Sequence, residues 1–327
     1  MVSGTPPLPI PPHAMRYREK NSQQLRYPHP CGTDKGAVST ETHEVLERHF
    51  IECFNKAGIT DETVVLFREV VWAYYKGHKR VLPWRETNDP YKILVSEIML
   101  QQTQVPRVLD KYREFVAAFP DFASLAVASL RDVLQVWQGL GYNRRAIALK
   151  TTAQIIVDAF SGSLPTDTEA LKRLPGIGPA TAAAICAFAF NRPAPLIETN
   201  IRAIFIHFFF KDNDNVKDSE LLPLVERTLD RTNPREWYYA LMDYGVILKK
   251  IHKNPSRRSA HHKAQSPFKG SHRALRAAAL RVVLARGSAR LENAASELKI
   301  PADRAQKVLD ELEKEGFITR HGLLYES

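Results

Sequence analysis

The segment LKRLPGIGPATAAAICAFAF, residues 171–190, leaves this chain few folds to choose from. A helix runs into Leu174, the turn Pro175-Gly176-Ile177-Gly178 follows, and a helix of small residues starts near Pro179. Two glycines two positions apart permit a tight turn whose backbone can come close to a ligand. The next helix then offers N–H groups without intrahelical partners, together with the positive end of its dipole. The combination is a phosphate-binding device, with Gly176, Ile177, Gly178 and Thr181 as its candidate contacts. Ala180, Ala182, Ala183 and Ala184 let a neighbouring helix pack closely, which fixes the angle of the hairpin. An ordinary helical corner is the plainer alternative; the proline before the glycine pair and the alanine-rich helix after it stand against that reading.

The hairpin sits in a helical context. Apolar residues recur at three- and four-residue spacing from about Glu44 to Phe210, and β-branched alternation is scarce, so an all-α core is expected. Helices are expected over 62–78, 90–104, 106–119, 128–137, 143–160, 166–173, 179–190, 199–210, 217–230 and 234–250. Pro106, TDTE at 166–169 and NPREW at 233–237 supply start signals. Residues 271–327 read as three helices and a short hairpin about Arg320-His321-Gly322, a small winged-helix (α+β) arrangement. Its third helix carries Asp310, Glu311, Glu313 and Glu315, which favours a protein contact or an architectural role over groove reading. The expected organisation is a disordered Pro-rich tail over 1–40, with Met15 a second candidate start, a core over 41–250, a basic linker over 251–270 and the winged-helix domain over 271–327.

Charge narrows the partner. The formal net charge of +10 favours a polyanion. Between Tyr244 and Arg276 there is no Asp or Glu, and Lys249, Lys250, Arg257 and Arg258 open a run of one sign that suits a phosphate backbone. A solvated face or linker is the alternative. No run of about 18 apolar residues is present, and the start lacks the order of a signal peptide, so no membrane partner and a cytoplasmic, nucleoid-associated monomer are expected. Cys31, Cys53 and Cys186 are far apart with no C-x-x-C spacing, so no metal, cluster or disulfide is expected.

The hairpin, followed some 20 residues on by a carboxylate at a helix start, resembles the helix–hairpin–helix base-excision glycosylases. LPWRETNDPYKILVSEIMLQQTQV (82–105), VWQGLGYNRRA (136–146) and WYYALMDYGVIL (237–248) are similar to the A/G-specific adenine glycosylase branch. The resemblance implies a two-lobed helical core, double-stranded DNA with a mispaired or damaged base as partner, and hydrolysis of an N-glycosidic bond. It implies that Glu97 protonates the departing purine, as a desolvated carboxyl with a raised pKa can. It makes Gln102 the wedge that fills the stack left by an extruded base, with Tyr142 supporting the opened duplex. Glu198 falls where the family has Asp and is expected to stabilise positive charge at the sugar carbon; Asn200 matches the family's Asn. The extra methylene would carry the carboxylate roughly 1 Å further out, a displacement costly in catalysis. Glu is a poor N-cap, so Thr199 or Asn200 is expected to cap the helix instead.

Departures from the family carry expectations of their own. Ala180 stands where the bifunctional branch has its Schiff-base lysine, so lyase activity by that route is not expected. Lys249, Lys250 and the basic run stand where the family places four cluster cysteines, so no iron–sulfur cluster and no other cofactor is expected. Asn143 replaces a tyrosine that neighbours 8-oxoguanine, and the C-terminal segment is too short and too helical for the family's oxidised-guanine reader. Adenine opposite guanine or 8-oxoguanine is the first expected substrate. Removal of uracil, thymine or hypoxanthine is the alternative within the class, and a non-catalytic lesion sensor the alternative outside it.

Overall fold

A computed structural model describes residues 40–264 and 267–327, and the expected tail falls almost wholly outside them. Two compact units emerge, one of the chain up to Val81 with Cys186–Lys263, the other of Leu82–Ile185 with Ala264–Ser327. The first unit opens with α1 (Thr40–Ala57) and α2 (Asp61–His78). The second takes up α3 (Pro90–Leu100), α4 (Val105–Ala118), α5 (Phe122–Val127), α6 (Leu130–Trp137), α7 (Arg144–Phe160) and α8 (Thr168–Lys172). Helix α9 (Pro179–Phe190) starts in the second unit and ends in the first, which then adds α10 (Thr199–Phe209), α11 (Asp218–Thr228) and α12 (Pro234–Ile251). The second unit closes with α13 (His272–Arg286), β1 (Ser288–Arg290), α14 (Leu291–Leu298), α15 (Ala302–Lys314), β2 (Thr319–His321) and β3 (Leu324–Glu326).

In the first unit, α2 starts at a Thr60/Thr63 capping box with Asp61 and Glu62 on the positive end of its dipole. Its apolar face meets the aromatic face of α10: Phe67 lies 5.4, 5.5 and 5.1 Å from the rings of Phe205, Phe208 and Phe209. Helix α12 crosses the first turn of α10 at Gly245, where any Cβ would collide with the backbone carbonyl of Asn200. Only glycine allows that approach, and it holds the Glu198–Asn200 segment against α12. Residues 251–263, expected as linker, are packed structure. Pro255–Arg258 form a 3₁₀ turn, and Val216 and Ser259 pair as a bridge through the 2.9 Å bonds from Val216 N to Arg258 O and from Ala260 N to Val216 O.

Two helices in the second unit depart from expectation, one for a local reason and one for a distant one. The helix expected over 128–137 starts at Leu130, where Ser129 caps Asp132, and the short helix α5, which was not expected, precedes it from a capping box between Asp121 and Ser124. Helix α3, expected to reach 104, stops at Leu100, and Gln102 turns into left-handed backbone at φ 55°. Nothing in the local sequence ends it there; the cause is a buried arginine from α7.

Residues 271–327 form the expected winged-helix arrangement, with one strand more than expected. The sheet order is β1-β3-β2, antiparallel throughout, and β1 is the three-residue strand Ser288–Arg290, too short to show an alternation. The domain is tied to the helices beside it in the same unit. Arg131 and Gln135 of α6 donate to the carbonyl of Leu284 at 3.4 and 3.3 Å, and Glu315 accepts from Arg276 at 2.6 Å and from Arg144 at 2.9 Å. Bonding to Arg276, with Arg144 added, holds the Glu315 carboxyl down to about 2. A carboxylate depressed in the folded state contributes stability that is complete above its ordinary value and drains away as pH falls through the folded value. The stability difference between wild type and Glu315→Gln, from urea melts, is therefore expected to be constant above pH 4.5 and to shrink progressively toward pH 2. Among the described residues no helix is long and apolar enough to cross a membrane.

Candidate functional site

The hairpin lies in the second unit. Helix α8 ends at Lys172, Gly176 adopts φ 75°, and α9 begins at Pro179. A Cβ on Gly176 would come within 2.9 Å of Ala148 Cβ, so glycine is required there both by backbone angle and by space. Gly178 is exposed and a Cβ there would meet nothing within 4 Å, so packing inside the fold does not require a glycine at this position. Ile177 is a correction: its side chain is buried and its backbone N–H donates to the carbonyl of Leu174 at 3.2 Å. Thr181 is half-buried, and its hydroxyl oxygen accepts from Gln101 Nε2 at 3.1 Å.

Gln101 was not singled out by the sequence, yet it joins two motifs. The same amide nitrogen donates to the carbonyl of Gly176 at 3.0 Å, so the end of α3 is fastened to the hairpin four residues after Glu97. Glu97 is half-buried on α3 between buried Ser96 and Ile98. Gln102 follows in the exposed left-handed position, where its backbone bends away from the helix.

Arg145 is the second residue that sequence reasoning passed over. Only 8% exposed, it donates to the carbonyls of Ile98 (2.9 Å), Met99 (2.8 Å) and Gly141 (2.9 Å) and to Thr103 Oγ1 (3.0 Å). It thereby satisfies the last carbonyls of α3 and fixes both the Gln102 turn and the Gly139–Tyr142 turn, in which Gly139, Gly141 and Tyr142 all have positive φ. Burial holds its guanidinium down to about 10. The legible signal was the second arginine of GLGYNRRA, directly after a glycine-rich turn. Arg145→Ala strands several buried carbonyls, each unsatisfied group costing about 1–3 kcal/mol, so a loss of about 3 kcal/mol or more is expected in urea unfolding. Arg145→Lys, lacking the planar fork, recovers part of that at most. Tyr142 keeps 39% of its surface exposed, and Asn143 is half-buried in helical geometry at the start of α7, where its side chain caps nothing.

Glu198 lies in the first unit. Glu198 itself caps α10: Oε1 accepts from the backbone N–H of Asn200 at 2.7 Å and of Ile201 at 2.9 Å, and Oε2 from Asn200 Nδ2 at 3.1 Å. The expectation that Thr199 or Asn200 would cap is overturned, because the extra methylene folds back and the carboxylate returns to the helix end. There it faces the positive end of the dipole. Asn200 Oδ1 is buried without a hydrogen-bond partner among the described residues. Lys249, one turn beyond Gly245 on α12, is half-buried; burial holds its ammonium below the ordinary range, and the charge of Glu198 opposes that shift.

The other basic candidates separate. Lys250 and Arg257 are exposed. Arg258 is a correction: its guanidinium donates to the carbonyls of Ile206 (3.2 Å), Phe210 (2.6 Å) and Lys211, closing the C-terminus of α10. That helix ends in Phe208-Phe209-Phe210 with no glycine to turn its last carbonyls inward, so an arginine from the next segment supplies the donors. Among the described residues no group of three or more His, Cys, Asp or Glu could hold a metal ion.

Comparison with known proteins agrees with this geometry. Residues 95–225 match the family model of the HhH-GPD superfamily base excision DNA repair proteins. The chain is 33% identical over 190 residues to an adenine DNA glycosylase of Buchnera aphidicola, covering 57% of this chain and 53% of that protein. It is 43% identical over 133 residues to an adenine DNA glycosylase of Mycobacterium tuberculosis, covering 40% and 44%. The chain thus spans about half the length of the curated relatives it matches. A solved thermostable thymine-DNA glycosylase shares the fold, with a TM-score of 0.51 at 24% identity over 57% of this chain and 88% of that one. The hairpin, Glu97 and the capped helix of Glu198 all lie within residues 95–225, the segment of the chain that is similar to the HhH-GPD superfamily of base excision DNA repair proteins.

Proposed function

We propose that this protein is a monofunctional DNA glycosylase that takes a mispaired adenine, opposite guanine or 8-oxoguanine, out of duplex DNA and hydrolyses its N-glycosidic bond. One observation carries the reading: Gln101 and Arg145 bind the end of the Glu97 helix to the phosphate-ready hairpin and to the Tyr142 turn. A grip on the backbone, a wedge and a proton donor are thus held in fixed register, as base flipping requires. The adenine DNA glycosylases named above support the choice of base.

In this reading Gly176, Gly178 and Thr181 hold a phosphate and Lys249, Lys250 and Arg257 add charge along the strand. Gln102, Tyr142 and Asn143 support the opened duplex. Glu97 protonates the purine as its bond to the sugar breaks. A purine leaves poorly as an anion, and a positioned carboxyl removes that barrier. Glu198, ionised at the head of α10 and steadied by Asn200, stabilises positive charge at the sugar carbon while water attacks. Ala180 supplies no amine, so the reaction ends at an abasic site with the strand intact. No thiol lies beyond Cys186 to hold an iron–sulfur cluster, and we read the enzyme as cofactor-free.

Duplexes carrying A, U, T or hypoxanthine opposite each base and 8-oxoguanine, treated with hot alkali, test this. Strand breaks are expected only after alkali and chiefly with A opposite G or 8-oxoguanine. Breaks with U or T in preference would move the enzyme to deaminated bases, and breaks without alkali would end the monofunctional reading. No break with any duplex, alongside tight mismatch binding, would leave a lesion sensor, a reading to which the inward engagement of Glu198 lends some weight.

A further inference from the structure

The winged-helix domain touches one of the turns proposed above to meet the opened duplex, the one that carries Tyr142. Tyr142 has left-handed backbone at φ 49°, a strained conformation for a tyrosine that persists where surrounding contacts fix it. The guanidinium of Arg145 lies 5.5 Å from its ring centroid. Its hydroxyl accepts from Arg273 Nη1 at 3.1 Å, and Arg273 is the second residue of α13. One turn further, Arg276 is gripped by Glu315, which also takes Arg144, two residues after Tyr142. His272 meets Glu311 at 2.6 Å. Glu311 of α15, the helix that a DNA-reading winged helix would offer to a groove, and Glu315 just past its end are thus engaged with α13 and α7. They anchor the first turn of α13 beside Tyr142.

We propose that the winged-helix domain braces the Tyr142 turn, and that Arg273 is a positioning residue for base opening, acting through the Tyr142 hydroxyl. The proposal rests on reading Tyr142 as a duplex contact. A side chain that enters an opened base stack works best when its conformation is fixed beforehand, because less ordering remains to oppose binding. Arg145 fixes the ring from within the lobe; Arg273 fixes its far end from the C-terminal domain.

The test uses the full chain with Arg273→Ala, Tyr142→Phe, their double, and Tyr142→Ala. Affinity is measured for an A:G duplex and for its fully paired counterpart, and opening is followed by 2-aminopurine fluorescence next to the mismatch. Arg273→Ala and Tyr142→Phe are each expected to lower mismatch affinity and opening about 5- to 10-fold, the effect of one hydrogen bond to a charged donor, with paired-duplex affinity and melting temperature unchanged. The double is expected to be no worse than Arg273→Ala alone, because the bond lost in Tyr142→Phe is already absent there. Since Tyr142→Phe removes only the hydroxyl, its agreement with Arg273→Ala separates the bond from any general loosening of the domain. Effects that multiply in the double would overturn the proposal. So would an equal loss on both duplexes with a shallower salt dependence, which would make Arg273 a plain phosphate contact. Arg273→Ala behaving as wild type while Tyr142→Ala is impaired removes the brace alone; Tyr142→Ala behaving as wild type removes the reading of Tyr142 beneath it.

Discussion

Glu97→Gln is expected to lower the single-turnover rate of adenine excision by about 10²- to 10⁴-fold while leaving mismatch affinity intact. The substitution keeps the shape and length of the side chain and removes only the proton that can be given up. A glutamine can still hydrogen-bond to the base, so binding persists; it cannot neutralise the charge left on the purine as the bond to the sugar breaks. The range corresponds to about 3–5 kcal/mol at the transition state and nothing in the ground state. Excision is read as abasic sites revealed by alkali in a single turnover, and binding from a titration on the same duplex. A second readout is the pH profile: the wild type loses rate as the carboxyl ionises, and the glutamine variant, with no proton to lose, has no such limb. A variant that excises at the wild-type rate would take the acid role from Glu97 and reduce it to a half-buried side chain of α3.

How much of this could be read in the sequence depended on whether the cause was local. The hairpin was legible because its glycines, its prolines and its alanine-rich helix are local requirements, and the structure gives each a reason: at Gly176 the backbone angle and Ala148 leave no alternative. The winged-helix strands β2 and β3 were legible for the same reason, although their turn falls at Gly322-Leu323 and Arg320 and His321 of the expected turn belong to β2. What was missed came from distant partners. Helix α3 stops at Leu100 because Arg145, 45 residues beyond it, collects its carbonyls, and no residue near 100 announces that. Gln101 looked like the lesser of two glutamines until its amide met Gly176 and Thr181. Arg258 belonged to a run of positive charge that suggested DNA, and only the unmet carbonyls at the end of α10 show what it does instead. A charge is visible in a sequence; the group that claims it is not.

Glu198→Gln is expected to cut excision by about 10²- to 10³-fold, the scale of losing one preorganised electrostatic contact, with little change in stability. Two roles meet in this side chain, and the amide separates them. Its carbonyl oxygen can still accept from the backbone N–H groups of Asn200 and Ile201, so the cap survives. The bond from Asn200 Nδ2 cannot survive opposite an NH₂ group, yet the Asn200 amide can turn over and present Oδ1, which has no partner among the described residues, as an acceptor. The charge alone is lost. Glu198→Ala removes cap and charge together and should add a loss of about 1 kcal/mol in urea unfolding. Glu198→Asp keeps both, since aspartate ranks among the best N-caps, and should keep a rate within about tenfold of wild type. The order of the three variants decides what the glutamate is for. If excision follows charge, with Asp active and Gln and Ala inactive, the carboxylate serves the sugar cation from its place at the helix end. If it follows stability, with Gln as active as Asp, Glu198 is a cap and the positive charge at the sugar is met by another group.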